Sequence, residues 1–353
     1  MREYPIPDPE PGAAVIAISI ANVCGSDLHY WRGDIDIKKM GRPTPMALGH
    51  EGVGRIAKLG NGLTTDTLGD RVAEGDRVVF QYFYPCMQCP TCLGGHTYAC
   101  PVRQAERGTS SDTWPHFKGT FADYYYLQPK HAMFKVPDSL SDEKVAGINC
   151  ALSQVISGLE RAKLSFGETV TIQGAGGLGV YAAGVAKARG ASKVIAIDGV
   201  DERLDLIKEF GADEVVDIRE YETPDDRVNA VRELTDGLGT DVTLELVGHP
   251  GVVREGLDMT APGGRYLEIG NINAGWDTSF DPSVIVFKSI SVIGICHYTA
   301  QDLRKALDFL TAHDDRLPFD RVLSHRFALK DIDHAMEQQD KGHITRAALI
   351  PGG

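Results

Sequence analysis

The stretch Thr169–Asp198 constrains the fold most, because it contains a strand, a glycine turn, a helix and a second strand in that order. The β-rich run Thr169–Gln173 leads into glycines spaced as G-x-G-x-x-G. Gly174 permits a tight turn, Gly176 allows a pyrophosphate to approach the backbone, and Gly179 lets the helix lie close to the strand. The stretch therefore predicts the opening unit of a dinucleotide-binding sheet.

The acid that ends the second strand indicates which dinucleotide is bound. Asp198 lies about twenty residues beyond the turn, where a carboxylate accepts hydrogen bonds from the adenosine ribose hydroxyls. It would repel a 2′-phosphate, and the following Gly199 and Val200 supply no cation to receive one. We therefore expect NAD, with Gly177 and Leu178 completing the turn at the helix N-terminus.

The length and charge of the chain exclude several classes of protein. Its 353 residues favour two domains. The net charge of −13 argues against nucleic acid or an anionic membrane as a partner, since both require a basic face. No apolar run reaches membrane-spanning length, and residues 1–5 do not resemble a signal peptide. We expect a cytoplasmic protein.

The secondary-structure pattern changes near Leu152. Before it, short β runs broken by Gly and Pro are typical of a small β domain; they include Ala14–Ala21, Glu51–Leu59, Arg77–Gln81 and Ala122–Leu127. After it, six predicted strands alternate with helices, which indicates a doubly wound parallel sheet of the α/β class. A helix around Leu303–Leu310 and a terminal β run at Arg346–Ile350 complete the prediction.

Four of the seven cysteines form the sharpest local motif: Cys86, Cys89, Cys92 and Cys100. Four thiolates at these short spacings can close a zinc tetrahedron, which is typical of a structural site. Disulfides do not suit the expected compartment, an Fe–S cluster has no evident redox partner, and a nucleic-acid zinc ribbon needs basic surroundings. We predict a structural zinc.

A second set of metal-binding residues is scattered along the chain: Cys24, His50 and Cys150. A Cys₂His set leaves the fourth zinc position open to water or substrate, as a catalytic site requires. Taken singly, each of these residues is more often a buried thiol or a hydrogen-bonded histidine.

These motifs together carry a resemblance to a known family. Cys-Gly-Ser-Asp-Leu-His at 24–29, Gly-His-Glu-x-x-Gly at 49–54, Gly-Asp-Arg-Val at 75–78, the four cysteines, the glycine turn and Arg346 follow one another in the family's order. The chain resembles a zinc-dependent medium-chain dehydrogenase/reductase of the alcohol dehydrogenase type. The resemblance implies a GroES-like catalytic domain over residues 1–151 and 296–353, with the structural-zinc lobe at 86–100. It also implies a Rossmann domain over 152–295, an active site in the cleft between them, and a homodimer or homotetramer.

The resemblance also assigns roles around two zinc ions and NAD. Cys24, His50 and Cys150 would bind the catalytic zinc, with Glu51 as an occasional ligand. The resemblance implies that Asp27 accepts the outer N–H of His50 and that Ser26 hydrogen-bonds the alcohol. His29 would carry the proton to solvent. Beyond the turn, Arg203 would contact the adenosine ribose region and Arg346 the pyrophosphate. Four residues would line the nicotinamide site: Gly248, Ile269, Gly270 and Asn271.

The expected reaction transfers hydride between an alcohol and NAD, and its substrate is only weakly indicated. Ile35, Tyr82, Trp114 and Phe117, with Trp31, would either form an apolar pocket or merely pack at a cleft or interface. A pocket of this kind suits a bulky or cyclic secondary alcohol, whereas a polyol needs charged or amide groups that the sequence does not locate. The rival hypotheses are a polyol dehydrogenase, a zinc-independent enone or quinone reductase, and a non-enzymatic interaction protein.

Overall fold

The computed structural model describes residues 1–39, 41–102 and 109–352. Its strands are β1 Ala14–Asn22, β2 Glu51–Leu59, β3 Arg77–Phe80, β4 Tyr124–Leu127, β5 Met133–Lys135, β6 Thr169–Gln173, β7 Lys193–Asp198, β8 Glu214–Asp217, β9 Thr240–Glu245, β10 Thr260–Glu268, β11 Ser291–Gly294, β12 His325–Ala328 and β13 Ala347–Ile350. Its α-helices are α1 Gly25–Arg32, α2 Pro90–Leu93, α3 Asp142–Val145, α4 Ser153–Arg161, α5 Gly177–Ala188, α6 Asp201–Glu209, α7 Pro224–Glu233, α8 Val253–Met259, α9 Ser283–Lys288, α10 Ala300–His313 and α11 Ile332–Asp340.

The chain divides into two compact units. The first contains Met1–Ser153, His297–Asp315 and Phe319–Gly353. The second contains Gln154–Cys296 and Arg316–Pro318. The first unit is thus built from both ends of the chain, and the second is almost continuous.

The first unit is built on a mostly antiparallel sheet with the order β12-β13-β1-β2-β3-β5, and β4 also pairs with β1. Strand β1 is central because it pairs with β2 along one edge and with β4 and β13 along the other. Its β-branched residues favour a strand buried on both faces. Ile16 and Ile18 lie in a core cluster with Val78, Phe80 and Leu349, which come from strands far apart in sequence.

The second unit contains the parallel sheet β11-β10-β9-β6-β7-β8. Strand β6 lies between β9 and β7, so the strand order reverses direction at β6. In sheets of this type ligands bind at the carboxyl ends of the strands beside such a reversal. The six-stranded doubly wound sheet predicted from the sequence is confirmed, and so is the α/β class.

The sequence analysis located most strands but missed five of the described helices: α1, α2, α3, α4 and α9. Strand β2 has the predicted bounds, and the central strands of the second unit agree within a few residues. Helices α1 and α4 were not predicted, because α1 is short and has no apolar stripe, and α4 crosses the change of pattern near Leu152. Within residues 1–39, 41–102 and 109–352, no helix is both long enough and apolar enough to cross a membrane.

Candidate active site and metal centres

Helix α1 begins with a capping motif that also carries two predicted site residues. Cys24 is the N-cap, and its backbone N–H donates to the Asp27 carboxylate at 3.0 Å. The other carboxylate oxygen of Asp27 lies 3.5 Å from Nδ1 of His50. Asp27 is only 2% exposed. One buried carboxylate therefore both starts the helix and faces the imidazole.

A tight turn leads to His50 and Glu51 at the start of β2. Gly49 has φ +83°, and a Cβ at this position would approach the Phe121 ring to 2.5 Å. Glycine is therefore required on two counts, conformation and space. Glu51 is fully buried, and its pairing with Asn22 of β1 fixes where β2 begins.

Cys150 lies in the π-helical turn Ile148–Leu152, a geometry frequent at functional sites. The adjacent Asn149 is fully buried and ties this turn to β2. Its amide donates to the His50 carbonyl at 3.3 Å, and its oxygen accepts from the Gly52 N–H at 3.2 Å. The sequence analysis gave Asn149 no role, although an amide beside a predicted ligand was an available signal.

These elements bring four metal-binding side chains together. One donor atom of each lies within 4.8 Å of the other three: Cys24, His50, Glu51 and Cys150. Two thiols and an imidazole are a known ligand set of catalytic zinc. The donor chemistry and its burial therefore fit a zinc ion with one position left open.

The predicted occasional ligand Glu51 is held by Arg346, directly before β13. Two guanidinium nitrogens of Arg346 donate to the two carboxylate oxygens at 2.5 and 3.0 Å, and Arg346 is 2% exposed. The resemblance implies that Arg346 contacts the cofactor pyrophosphate. The structure shows a different partner, and the pyrophosphate contact stays a prediction.

The groups of this cluster shift one another's pKa values. The hydrogen bond with Cys150, together with the nearby His50, holds the pKa of the Cys24 thiol well below its usual value. Contact with Cys24 and burial raise the pKa of Cys150. Burial opposes a charge on His50, but Asp27 outweighs it and the pKa of the imidazole is raised. Burial raises the pKa of Glu51 to about 8. Cys24 is the thiol most ready to bind a cation as a thiolate.

The two predicted proton-transfer residues lie on α1. Ser26 is in the first turn, and His29 follows three residues later, so both are on one face of the helix. Nδ1 of His29 lies 2.9 Å from a carboxylate oxygen of Asp34. The same nitrogen lies 2.8 Å from a guanidinium nitrogen of Arg32. His29 is therefore oriented by a charged pair at the end of α1.

The four-cysteine lobe forms a second cluster of donor atoms. The sulfurs of Cys86 and Cys92 are 4.0 Å apart, and so are those of Cys89 and Cys100. Zn–S bonds of about 2.3 Å in a tetrahedron separate the sulfurs by about 3.8 Å. The backbone N–H of Cys89 donates to the Cys86 sulfur at 3.3 Å, which favours its thiolate. None of the seven cysteines forms a disulfide. The lobe fits a closed zinc site.

In the second unit the glycine turn has the conformation that the motif predicts. Gly174 has φ +95°, and a Cβ on Gly179 would lie 2.1 Å from the Gly174 carbonyl oxygen. A Cβ on Gly176 would meet nothing within 4 Å, so this side of the turn is open. The Asp198 carboxylate accepts from the Ala175 N–H at 2.8 Å and ties the turn to the end of β7. This cradle fits a dinucleotide phosphate.

The predicted ribose contact Arg203 lies beside Asp198. One of its guanidinium nitrogens is 4.0 Å from the carboxylate, and its Nε is buried without a hydrogen-bond partner among the described residues. A buried donor of this kind is costly unless a ligand accepts from it. Its position fits the ribose region predicted from the sequence.

The predicted nicotinamide residues lie on two loops that share one carboxylate. Glu245 ends β9 and is fully buried, and it accepts from the N–H groups of Gly248 at 2.7 Å and Gly270 at 3.0 Å. Burial and the neighbouring Glu268 raise the pKa of Glu245 to about 8. Glu268 also accepts from the Asn271 side chain at 2.9 Å. The sequence analysis missed Glu245, and the available signal was a glutamate in an apolar strand.

A cavity of about 350 Å³ lies beside His50 within the first unit. Tyr82 lines it, and the centroid of its ring is 4.9 Å from that of His50. The other aromatic and apolar residues predicted for a pocket do not line this cavity: Ile35, Trp114, Phe117 and Trp31. Of the pocket predicted from the sequence, only Tyr82 belongs to this cavity.

Two of these aromatic rings pack against other aromatic side chains of the first unit. Trp114 packs edge-on against Tyr126 with centroids 5.2 Å apart. Phe117 contacts the ring of Tyr124 at 5.9 Å. An aromatic run in a loop does not indicate which face of the domain its rings cover, and here these two rings cover other aromatic side chains.

Known proteins resemble the chain over both units. Residues 10–138 match the family of alcohol dehydrogenase GroES-like domains, and residues 177–312 match the zinc-binding dehydrogenase family. The chain is 32% identical to 5-exo-hydroxycamphor dehydrogenase of Pseudomonas putida, over 98% of this chain and 94% of that protein. It is 30% identical to L-threonine 3-dehydrogenase of Bacillus licheniformis, with the same coverage of each. The solved structure of an alcohol dehydrogenase from Thermotoga maritima matches 99% of this chain and 95% of that chain, with a TM-score of 0.89 and 28% identity.

The similarity covers almost the whole chain, and the donor clusters and the glycine turn agree with it. The expectation drawn from the resemblance is confirmed for the family, the fold and the general reaction. The chain belongs to the zinc-dependent medium-chain alcohol dehydrogenase family.

Proposed function

We propose that this enzyme oxidises its alcohol at a zinc ion held by Cys24, His50 and Cys150, with Glu51 as an occasional ligand. The observation that carries the proposal is the buried cluster in which these donor atoms lie within 4.8 Å of one another. When bound, zinc supplies a Lewis acid that favours loss of the alcohol proton, and NAD supplies the hydride acceptor.

The chain's own residues orient the reaction and move its proton. Asp27 holds the imidazole of His50 in one orientation through the 3.5 Å contact with Nδ1. Ser26 hydrogen-bonds the alcohol and relays its proton, giving up its own hydroxyl proton as it receives one. His29 carries that proton away, held in position by Asp34. Glu51, the proposed occasional ligand, lies among the donor atoms and also accepts from Arg346.

The proposed domain assignment gives the catalytic role to residues 1–151 and 296–353, and cofactor binding to residues 152–295. The glycine turn takes the pyrophosphate, Asp198 the adenosine ribose, and the loops at Gly248 and 269–271 the nicotinamide. The open side of Gly176 and the free Nε of Arg203 support this assignment.

The central test combines a redox assay with metal analysis. The purified protein should contain two zinc ions per chain and reduce NAD in the presence of secondary alcohols, followed by NADH absorbance. Removal of the metal with a chelator should abolish turnover, and added zinc should restore it. Full activity in metal-stripped protein would overturn the zinc mechanism and favour a zinc-independent reductase.

NAD is proposed over NADP because of the Asp198 carboxylate. Asp198→Asn should weaken NAD binding by about 10-fold, because a charged hydrogen bond contributes roughly 1.5–3 kcal/mol. The substitution should also relax discrimination against NADP. Asp217 ends the neighbouring strand β8 in register with Asp198, so Asp217→Asn is the matched control. An unchanged ratio of NAD to NADP activity in Asp198→Asn would contradict the role.

The substrate remains a proposal at the level of a secondary alcohol. The sequence analysis favoured an apolar or cyclic alcohol because it found no polar groups to hold a polyol. Polar side chains of Tyr84, Gln128 and His131 do line the cavity beside His50, which supports polyols as a second candidate class. A panel of cyclic alcohols and polyols, compared by kcat/KM, separates the two.

We also propose a homo-oligomer, a dimer or a tetramer. Strand β11 is an edge of the parallel sheet, and Val292 on it is exposed. Nearby in sequence, Val286 and Phe287 of α9 are 74% and 86% exposed. An apolar edge of this kind favours association with a second copy. Light scattering should give a multimer mass, and Phe287→Glu should reduce it.

A cytoplasmic location is proposed from the cysteine chemistry. Both donor clusters require thiols, and no disulfide is present among the seven cysteines. Reduced thiols persist in the cytosol and not in oxidising compartments. Fractionation of the native host followed by immunoblotting tests this location.

A further inference from the structure

Two neighbouring strands of the second unit end in acids that lie side by side. Strands β9 and β10 are parallel, and Glu245 is in register with Glu268 at their carboxyl ends. Neighbouring strands lie about 4.8 Å apart, and side chains in register point to the same face of the sheet. Glu245 is fully buried and Glu268 is half-buried. Two carboxyl groups thus meet where the two nicotinamide loops begin, and the proposed reaction gives this pair no role.

The pair of acids holds both of these loops. One oxygen of Glu245 accepts from the Gly248 N–H at 2.7 Å, and the other accepts from the Gly270 N–H at 3.0 Å. Glu268 accepts from the Asn271 side chain at 2.9 Å. The loops also touch each other, because a Cβ on Gly270 would lie 2.5 Å from the Gly248 nitrogen and 2.8 Å from a Glu245 oxygen. A change in either acid is therefore transmitted to both loops.

The surrounding side chains do not neutralise the pair. The elements packed around it contribute Gln173 of β6, Tyr266 of β10, Glu255 of α8 with Arg227 of α7, and His249 of the Gly248 loop. The Arg227 guanidinium is already paired with Glu255 at 2.6 Å. Burial and the nearby acids raise the pKa of Tyr266, so its hydroxyl stays neutral. Among the residues that the structure describes, no ion pair joins Glu245 or Glu268 to a cation.

Two carboxyl groups in such contact cannot both be charged at little cost. Burial and the contact with Glu268 raise the pKa of Glu245 to about 8. One proton on the pair replaces repulsion between two charges with a hydrogen bond between the two acids. That proton belongs to the pair rather than to either residue. Near neutral pH the two acids therefore carry one negative charge between them.

We propose that Glu245 and Glu268 share one proton and act together as positioning residues that hold the two nicotinamide loops in the arrangement that binds the cofactor. The inference rests on the proposed function, because it requires the loops at Gly248 and 269–271 to bind the nicotinamide. Loss of the proton leaves two adjacent negative charges. The half-buried Glu268 then turns towards water and releases Asn271, whereas Glu245 stays with its backbone donors.

The sign of the pH dependence follows from the direction of the pKa shift. The pKa of Glu245 is raised, so the proton is present below about pH 8 and is lost as the pH rises through that value. The zinc-loaded enzyme should therefore bind NADH tightly at about pH 7. Its affinity should fall about 10-fold or more by about pH 9.5, because binding that requires one proton weakens tenfold per pH unit above the pKa. Titration of NADH fluorescence measures this.

Two substitutions of Glu268 separate proton sharing from packing. Glu268→Gln keeps an uncharged group that donates to Glu245 and accepts from Asn271 at every pH. Its NADH affinity at about pH 7 should stay within about 3-fold of the wild type, and the fall towards about pH 9.5 should shrink to less than about 3-fold. Glu268→Ala loses both bonds and should bind NADH about 10-fold more weakly even at about pH 7. Other ionisations act equally on wild type and variants, so the difference between the profiles isolates the pair.

Infrared spectroscopy detects the shared proton without the cofactor. At about pH 7 the C=O stretch of protonated carboxylic acids should be weaker by one acid in Glu268→Gln than in the wild type. Glu214→Gln is the matched control, because Glu214 is an exposed glutamate at the amino end of β8 in the same sheet. It should change neither the infrared band nor the NADH profile.

The outcomes distinguish this inference from the proposed function. A flat wild-type NADH profile, a Glu268→Gln profile as steep as the wild type, or an unchanged infrared band would each show that the acids do not share a proton that positions the loops. In those cases alcohols would still reduce NAD at the zinc-loaded enzyme, and the proposed function would stand. If the wild type binds no NADH at any pH, the proposed function itself fails.

Discussion

The four-cysteine lobe and the scattered cluster of Cys24, His50 and Cys150 both bring metal-binding side chains together, but they are built differently. The lobe takes all its donors from residues 86–100, with backbone N–H groups directed at the sulfurs. The scattered cluster depends on a helix cap, on Gly49 in a left-handed conformation and on a π-helical turn. A local donor set serves stability, whereas a donor set assembled by the fold can be left open for chemistry.

The two sites also differ in what surrounds them. The lobe consists of thiols alone, so a bound zinc has no vacant position. The other cluster adds a buried carboxylate, Glu51, which also accepts hydrogen bonds from Arg346. Two buried side chains behind the donors, Asp27 and Asn149, fix the imidazole and the strand that carries it. Variants of the scattered cluster should therefore lose turnover, whereas variants of the lobe should lose stability.

The largest effect is expected from His50→Ala. Without the imidazole the catalytic zinc loses one of three ligands, so turnover should fall to background while NAD still binds. Metal analysis should find about one zinc per chain, and NAD binding can be followed by calorimetry. Near-normal kcat in this variant would show that the scattered cluster is not the reaction centre.

The opposite pattern is expected from Cys92→Ser in the lobe. Loss of a structural ligand should destabilise the fold, on the order of 4 kcal/mol, and again leave one zinc per chain. The protein that remains folded should keep its kcat. Cys296→Ser, a cysteine outside both donor clusters, is the control and should alter neither quantity. If Cys92→Ser lost as much kcat as His50→Ala, the proposed difference between the two clusters would be wrong.

A smaller change should follow from Asp27→Asn. An asparagine keeps the size of the side chain but removes the charge that orients His50, so catalytic zinc affinity or kcat should fall about 10–100-fold. The lobe should retain its zinc. A chelator titration that releases the two zinc ions in sequence measures the affinity for the catalytic zinc. Release of the more weakly bound ion at the wild-type chelator concentration would contradict the role of Asp27.

The smallest effect is expected from Asn149→Ala, which touches no donor atom. Loss of its bonds to the backbone at His50 and Gly52 should cost about 1–3 kcal/mol of stability. Because those bonds join β2 to the turn that carries Cys150, catalytic zinc should also dissociate faster. Hydrogen exchange at Gly52 reports the loosened strand, and exchange unchanged from the wild type would argue against this link.

The sequence predicted the features whose residues are neighbours in the chain. The glycine turn, the lobe and the six strands of the second unit follow from local spacing and period. The scattered cluster was found through a resemblance, since no spacing rule joins Cys24 to Cys150.

Features made by packing between distant segments were not predictable. Trp114 was expected either in a pocket or in packing, and its ring contacts Tyr126, a contact that a loop sequence does not specify. Arg42 and Lys118 are far apart in sequence, yet both line the cavity beside His50. Arg346 was expected at the cofactor, and its bond to Glu51 joins residues 295 positions apart.

That last bond has a consequence for biosynthesis. Strand β13, which follows Arg346, pairs with the very first strand. A ribosome must therefore synthesise the chain as far as Arg346 before the Glu51 carboxylate acquires its guanidinium partner. Until then Glu51 lacks that partner, and a stop codon at or before position 346 would leave this acid permanently without it.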